Sequence, residues 1–166
     1  MLEGIMKILV LSDSHSALSC MRRYILAVKP DAVVHLGDYY EDGQIMAEEF
    51  PHIPFHLVPG NCDRYRMFGS IPEILCYDIF GVRLYMTHGH KHLVKQTLVR
   101  LLADARANQA AAVLFGHTHI PCCYQEDDMW VMNPGPSTFC AGIVEIENKK
   151  ITSCRLLPQE EMEVSL

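Results

Sequence analysis

The sequence lacks any run of about 18 apolar residues, the length that a membrane-spanning helix requires. It also lacks a long apolar segment ahead of a cleavage site near its start, so we expect neither a membrane partner nor export. No repeat, low-complexity tract or linker interrupts the 166 residues, a length typical of one domain. We therefore expect one cytoplasmic domain over residues 1–166, with residues 1–5 as an N-terminal extension.

The seven cysteines lack the spacing of a redox or zinc motif, since no two of them are separated by two residues. An odd number without paired spacing also argues against a disulfide framework. Redox chemistry at the adjacent Cys122 and Cys123 is an alternative, but adjacent cysteines without a partner pair are usually structural. We expect the cysteines to be mostly small hydrophobic side chains of the interior.

Positive charge is scarce: 14 Lys and Arg stand against 20 Asp and Glu, which gives a formal net charge of −6. A nucleic-acid duplex would favour a basic face, so we do not expect such a partner. A small anionic substrate stays compatible with this charge, because bound divalent cations would reverse the local field. Hydrophobic residues make up 49% of the chain, which is typical of a folded globular protein.

Short apolar runs alternate with helical patterns in the first half of the chain. Residues 8–11, 32–36 and 55–58 predict buried strands, residues 18–28 a helix, and residues 43–50 a weaker helix. This alternation is typical of a parallel sheet covered by helices.

The second half of the chain has a different pattern. Residues 74–80 and 82–87 flank Gly81 and predict a hairpin, residues 93–105 predict a helix, and residues 111–115 a strand. Four further strand-like runs between residues 122 and 157 are joined by short polar turns, as in antiparallel sheets. We predict a single α/β domain in which two sheets pack face to face.

Polar groups follow five of the apolar runs. They are Asp13 with His15, Gly37-Asp38, Gly60-Asn61-Cys62-Asp63, Thr87-His88-Gly89-His90, and Gly116-His117-Thr118-His119. Ligand sites in α/β sheets form outside the carboxyl ends of the strands, and residues two apart in extended backbone face the same side. We therefore expect all five groups to meet in one cleft.

Carboxylate, imidazole and amide groups are ligands of divalent metals. We predict two metal sites that share Asp38: the first is made by Asp13, His15, Asp38 and His119, and the second by Asp38, Asn61, His88 and His117. Two cations about 3.5–4 Å apart lower the pKa of a bridging water to about 7, and the resulting hydroxide attacks phosphorus in line. The residues therefore predict hydrolysis of a phosphoester.

Each group also has a structural alternative. Asp13 and His15 could form a turn that caps the first helix, and Asp38 and Asn61 could be turn residues. His88, His117 and His119 could be buried structural histidines. The presence of all five groups favours metal binding. Asp63 is expected to hold its loop or a ligand histidine. The remaining histidines are expected to be ordinary strand or surface residues: His35, His52, His56 and His92.

The five groups, in this order and at these spacings, resemble the calcineurin-like metallophosphoesterase superfamily. The closest match is its small single-domain group of bacterial and archaeal phosphodiesterases, to which the retromer subunit of this fold is also related. The resemblance covers residues 7 to about 146. It implies a four-layer αββα sandwich, the same division of ligands, and two divalent ions, with Mn²⁺ favoured over Fe, Zn²⁺ or Ni²⁺.

Cys62 departs from the broader superfamily, in which many members carry a histidine after the asparagine as general acid. The small group commonly has the Gly-Asn-Cys-Asp form found here, so the fold assignment is unaffected. Esters with poor leaving groups should be cleaved inefficiently, because a thiol is a weak substitute for the imidazole as general acid. We do not expect the Cys62 thiol to be a metal ligand. His90 is our candidate for substrate contact or proton transfer. Candidates for binding substrate phosphate are Arg64, Arg66 and Lys91, which could equally be solvated surface charges.

These observations predict a metal-dependent phosphodiesterase that acts on a small phosphodiester, with Asp38, Asn61 and His90 at the catalytic centre. The first alternative is a phosphomonoesterase for a nucleotide, sugar phosphate or phosphoprotein. The second is a non-catalytic metal-binding scaffold, as the retromer subunit is usually regarded. Competent side chains at all seven ligand positions favour an enzyme. The resemblance also implies a homo-oligomer, since related small enzymes often form dimers or tetramers.

Overall fold

The computed structural model of the protein describes residues 4–63 and 71–163, in which ten strands and four helices are found. The strands are β1 Met6–Leu11, β2 Ala32–His35, β3 Phe55–Leu57, β4 Ile74–Ile79, β5 Val82–Thr87, β6 Ala112–Leu114, β7 Cys122–Glu126, β8 Met129–Asn133, β9 Cys140–Glu147 and β10 Lys150–Pro158. The helices are α1 Leu18–Val28, α2 Tyr40–Glu49, α3 Val99–Ala107 and α4 Gln159–Glu163.

Two five-stranded mixed sheets form the centre of the molecule. The first sheet has the order β10-β9-β1-β2-β3, and the second has the order β4-β5-β6-β8-β7. Strands β1, β2 and β3 run parallel, as do β5, β6 and β8, while the remaining pairs are antiparallel. The predicted parallel first half is confirmed. The predicted antiparallel tail is confirmed for the pairs β7-β8 and β9-β10, whereas β8 also pairs parallel with β6.

The alternation of side chains along the central strands explains the layering. In β1, Ile8 and Val10 belong to the apolar cluster between the two sheets, whereas Leu9 and Leu11 pack with residues of α1 on the outer face. In the second sheet, Tyr85 and Val113 pack outward against Leu101 of α3, because successive side chains of a strand point to opposite faces. The four-layer αββα sandwich is therefore confirmed.

Helix α3 begins later than predicted, at Val99 rather than near residue 93. Residues His90–His92 form a short 3₁₀ turn that ends at Leu93 in left-handed backbone, with φ of 57°. A left-handed residue interrupts an α-helix, and Val94 is buried against Gly89. The apolar spacing over residues 93–98 thus reflects packing of a turn, not a helix.

Five strands bring their carboxyl ends to one end of the sandwich, and the loops that follow them bond to one another. The Asp13 amide donates to the carbonyl of Gly37 at 2.9 Å, and the Gly116 amide donates to the carbonyl of His88 at 3.0 Å. A Cβ atom at Gly60 would collide with the Asp38 carboxylate, so only glycine permits this close approach. Among the described residues, no helix is long and apolar enough to cross a membrane.

Candidate metal centre

The first predicted ligand group is assembled at the carboxyl end of the strands. One ligand atom from each of Asp13, His15, Asp38 and His119 lies within 4.8 Å of all the others. Nε2 of His119 is 3.0 Å from Oδ1 of Asp13. The two carboxylates are buried and the two imidazoles are exposed, so the group opens to solvent on one side.

The second predicted group surrounds the buried ring of His88. Its Nε2 lies 3.0 Å from Oδ1 of Asn61 and 3.5 Å from Oδ1 of Asp38. The ring of His117 packs edge-on against that of His88, with 5.0 Å between their centroids. Nε2 of His88 is also 3.9 Å from Oδ1 of Asp13. Asp38 thus lies between the two groups, as a bridging carboxylate requires.

The tautomer of His88 bears on whether this group fits a metal. Nδ1 of His88 lies 2.8 Å from the carbonyl oxygen of Leu36, which is an acceptor only, so Nδ1 donates. In the neutral ring, Nε2 then presents a lone pair toward the oxygens of Asn61 and Asp38. The nitrogen and the two oxygens all carry lone pairs and repel one another at these distances, so a proton or a cation between them stabilises the arrangement. The donor set, of carboxylate, amide and imidazole groups, fits a divalent metal.

The electrostatics of the two groups favour the protonation states that bind metals. Burial raises the pKa of Asp38, but the electrostatic interaction with His88 and the hydrogen bond from the Cys62 amide outweigh it and hold the pKa below its ordinary value. That amide donates to Oδ1 of Asp38 at 3.0 Å. Burial and then repulsion from His88 lower the pKa of His117 to about 4. At neutral pH the carboxylate is ionised and the His117 imidazole is neutral, as metal binding needs.

Five of the seven ligand candidates have left-handed backbone: Asp13 (φ 49°), His15 (φ 43°), Asp38 (φ 55°), His117 (φ 69°) and His119 (φ 62°). For residues other than glycine this conformation costs about 1–3 kcal/mol each, and such residues are concentrated at functional sites. The fold holds these residues in strained loops although none of them fills the apolar core. The strain indicates that the arrangement serves binding or chemistry rather than packing.

A buried chain of hydrogen bonds supports the loop that contains Asp13 and His15. His35 accepts the Gly37 amide on Nδ1 at 3.3 Å, so its Nε2 donates to Oγ of Ser14 at 2.9 Å. Ser14 in turn donates to the Asp42 carboxylate at 2.6 Å. We expected His35 to be an ordinary strand histidine; instead it is fully buried and positions the site.

Two further buried residues clamp the ligand loops. Oδ1 of Asp63 accepts the amides of Tyr39 and Tyr40, and its Oδ2 accepts the amide of Gly60, which confirms the predicted loop-holding role. Asn133 donates to the carbonyl of Gly116 and to Oγ1 of Thr118, on either side of His117 and next to His119. Asn133 was not predicted as a site residue, because its only local signal is the Asn-Pro-Gly-Pro turn that begins with it.

The proposed substrate-contacting residues have different surroundings. His90 lies beside the second group, with its ring centroid 5.5 Å from that of His88 and 6.1 Å from that of His117. Lys91 forms an ion pair with Glu73. The pKa of the Cys62 thiol is raised by burial and then by Asp38, so without a metal the thiol is protonated at neutral pH. Arg64 and Arg66 lie outside the described residues.

Known proteins are similar to this chain in sequence and in fold. Residues 6–150 match the model of the calcineurin-like phosphoesterase superfamily domain. The probable metallophosphoesterase YsnB of Bacillus subtilis is 29% identical over 130 residues, which cover 78% of this chain and 74% of YsnB. A phosphodiesterase of Methanocaldococcus jannaschii is 25% identical over 146 residues, covering 78% and 83% of the two chains.

Solved structures show the same fold over nearly the whole length. A predicted phosphoesterase of Streptococcus pneumoniae superposes with a TM-score of 0.70 at 24% identity, covering 95% of this chain and 99% of its own. Vacuolar protein sorting 29 of Cryptosporidium parvum gives a TM-score of 0.71 at 14% identity, covering 95% and 100%. Since the family model matches most of the chain, the protein belongs to the calcineurin-like phosphoesterase superfamily.

Proposed function

We propose that the protein is a metal-dependent phosphodiesterase that hydrolyses a small phosphodiester with the help of two divalent cations. The observation that carries the proposal is that two clusters of nitrogen and oxygen atoms share Asp38 at one end of the sandwich. The first cation is assigned to Asp13, His15, Asp38 and His119, and the second to Asp38, Asn61, His88 and His117.

When bound, the cations supply a nucleophile at neutral pH by lowering the pKa of water, and they neutralise charge on the phosphoryl oxygens. Ligands of this kind suit several ions, and availability decides among them. We favour Mn²⁺, with Fe, Zn²⁺ and Ni²⁺ as alternatives for the same donors.

The chain itself fixes the donors before a substrate arrives. The Cys62 amide holds one oxygen of the Asp38 carboxylate, and the Leu36 carbonyl orients the His88 ring so that Nε2 faces the cleft. Asn61 lies against that nitrogen. Donors fixed in advance need no reorganisation when charge develops on the phosphoryl group, so we assign Asp38 and Asn61 to the catalytic centre.

His90 is assigned to contact with the scissile phosphate or to proton transfer toward the leaving group. Its support is its position against His88 and His117, with only 10% of the side chain exposed. Imidazole exchanges protons near neutral pH. The Cys62 thiol is a poor alternative because its pKa is raised.

The preference for a diester over a monoester rests on analogy. The similarity to the Methanocaldococcus jannaschii phosphodiesterase supports a diester substrate. The substitution of Cys62 for a histidine general acid favours substrates whose leaving groups need little protonation.

The test is an assay of metal-stripped protein resupplied with Mn²⁺, Ni²⁺, Zn²⁺ or Mg²⁺. Bis-p-nitrophenyl phosphate and p-nitrophenyl phosphate are compared side by side in the wild type and in two variants. Asp38→Asn removes the shared carboxylate. Asp31→Asn is the matched control, because Asp31 accepts the Lys7 amide just before β2, at the opposite end of the sheet.

We expect metal-dependent cleavage of the diester that falls at least about a hundredfold in Asp38→Asn and is retained in Asp31→Asn. Faster turnover of the monoester would replace the proposal by the phosphomonoesterase alternative. Tight metal binding without turnover of either ester would favour the non-catalytic scaffold.

A further inference from the structure

Two cysteine side chains from different sheets meet at one edge of the sandwich. Cys123 belongs to β7 and Cys154 to β10, which are edge strands of the second and the first sheet, and these two strands contact each other. Sγ of Cys123 lies 3.2 Å from the carbonyl oxygen of Cys154. The two cysteines are thus close in space although 31 residues apart in the chain.

The direction of the side chains along β7 decides which of its two adjacent cysteines takes part. Cys123 packs against the apolar cluster between the sheets, to which Cys154 also belongs. Cys122 packs instead with the cluster beneath α3, on the outer face of the second sheet. Adjacent residues of a strand point to opposite faces, so Cys154 is within reach of Cys123 and not of Cys122.

The two thiols differ in reactivity and access. Cys123 is half-buried, whereas Cys154 is buried. Hydrogen bonding from the Cys154 thiol lowers the pKa of Cys123, while the same contact followed by burial raises that of Cys154. Because a small-molecule oxidant reaches the more accessible sulfur first, Cys123 is the attacking group and the buried Cys154 the resolving group.

We propose that Cys123 and Cys154 form a reversible intramolecular disulfide that joins the β7 edge of one sheet to the β10 edge of the other. The oxidant is a small-molecule disulfide. The Cys123 thiolate attacks one of its sulfurs and releases one thiolate, which leaves a mixed disulfide on Cys123. The deprotonated Cys154 sulfur then attacks Sγ of Cys123 and releases a second thiolate. Two protein thiols are oxidised and one small disulfide is reduced to two thiols.

The experiment exposes the full-length protein to oxidised glutathione, blocks the remaining thiols with N-ethylmaleimide in denaturant, and counts the blocked thiols by mass spectrometry. We expect the count to fall from seven to five, with a cross-link between the tryptic peptides of residues 107–149 and 151–155. Dithiothreitol should restore all seven. The oxidised protein should melt at a higher temperature, because a cross-link restricts the unfolded chain.

Cys123→Ser and Cys123→Ala should each abolish the cross-link, and Cys122→Ser is the matched control that should keep it. Circular dichroism of the reduced variants verifies that they are folded. A cross-link that persists in both Cys123 variants would overturn the pairing. Glutathione adducts without any cross-link in the wild type would overturn the disulfide itself.

Discussion

At the scale of single residues, His35 is a buried imidazole that the fold holds in its neutral form. Burial lowers its pKa from 6.5 to about 4, an effect that nearby carboxylates only partly oppose. Its two ring nitrogens already serve the Gly37 amide and the Ser14 hydroxyl. Protonation would turn the accepting Nδ1 into a donor that faces another donor, so the neutral ring is part of the folded structure.

We predict that His35 makes the metal-free protein sensitive to acid. Its pKa is lower in the folded than in the unfolded chain, so the unfolded chain binds the proton first as the pH falls. This contribution to stability is present above pH 6.5 and is lost between pH 6.5 and about 4, and it amounts to roughly 3 kcal/mol. The measurement is urea unfolding in chelator at several pH values.

His35→Gln is the comparison for this prediction, because glutamine still donates to Ser14 but does not titrate. The difference in unfolding free energy between wild type and variant should shrink as the pH falls. Parallel pH profiles for the two proteins would contradict the prediction.

The ligand residues could be predicted from sequence because metals restrict ligands to few side-chain types and glycines mark the loops that carry them. The residues that hold the ligands could not. Ser14 and Asp42 are 28 positions apart, and Asn133 lies 17 positions from Gly116. Such pairs become visible only when the strands are arranged in space, since neither side chain has a local pattern that indicates its partner.

At the scale of elements, helix α2 depends on a residue from another loop. Its N-cap residue, Tyr39, has left-handed backbone with φ of 70°. Tyr39 makes no capping hydrogen bond through its side chain. The backbone amides of Tyr39 and Tyr40, at the start of the helix, donate to the carboxylate of Asp63, which follows β3. An acidic group at a helix N-terminus is favoured by the helix dipole. Asp63 therefore joins the start of α2 to the loops of Asp38 and Asn61.

We predict that Asp63→Asn destabilises the protein and weakens metal binding together. The amide NH₂ of asparagine would face the Gly60 amide, so one buried donor would lose its acceptor, at a cost of about 2–3 kcal/mol. Displacement of the two loops should lower metal affinity about 10–100-fold. Calorimetric titration with Mn²⁺ and urea unfolding measure the two effects. Asp31→Asn should leave metal affinity unchanged; a loss of affinity there as well would contradict a local effect of Asp63.

The strands were predictable from sequence because a short apolar run bounded by turn residues is the typical pattern of a buried strand. The start of α3 was not. Leu93 and Val94 continue the apolar spacing of the helix, yet Leu93 is left-handed and Val94 packs on Gly89. The packing of the turn after His88 overrides the local helical pattern at this point, and only the tertiary structure contains that information.

At the scale of the whole molecule, the ligand candidates are divided between the two sheets. Asp13, Asp38 and Asn61 follow strands of the first sheet, whereas His88 and His117 follow strands of the second. Their side chains meet across one end of the sandwich. A cation held by both sets would therefore join the sheets, and its loss would weaken their contact at that end.

We predict that metal binding stabilises the whole fold by mass action. With Mn²⁺ at a hundred times its dissociation constant, the unfolding free energy should rise by about 2.7 kcal/mol, and the melting temperature by roughly 5–10 °C. His119→Ala should lose most of this gain, because Nε2 of His119 faces the Asp13 carboxylate. His52→Ala is the matched control, since His52 is exposed and precedes β3 at the opposite end of the sheet. Equal stabilisation of the two variants would show that Mn²⁺ binds outside the assigned site. The two sheets would then be held together by the apolar cluster between them and not by a cation.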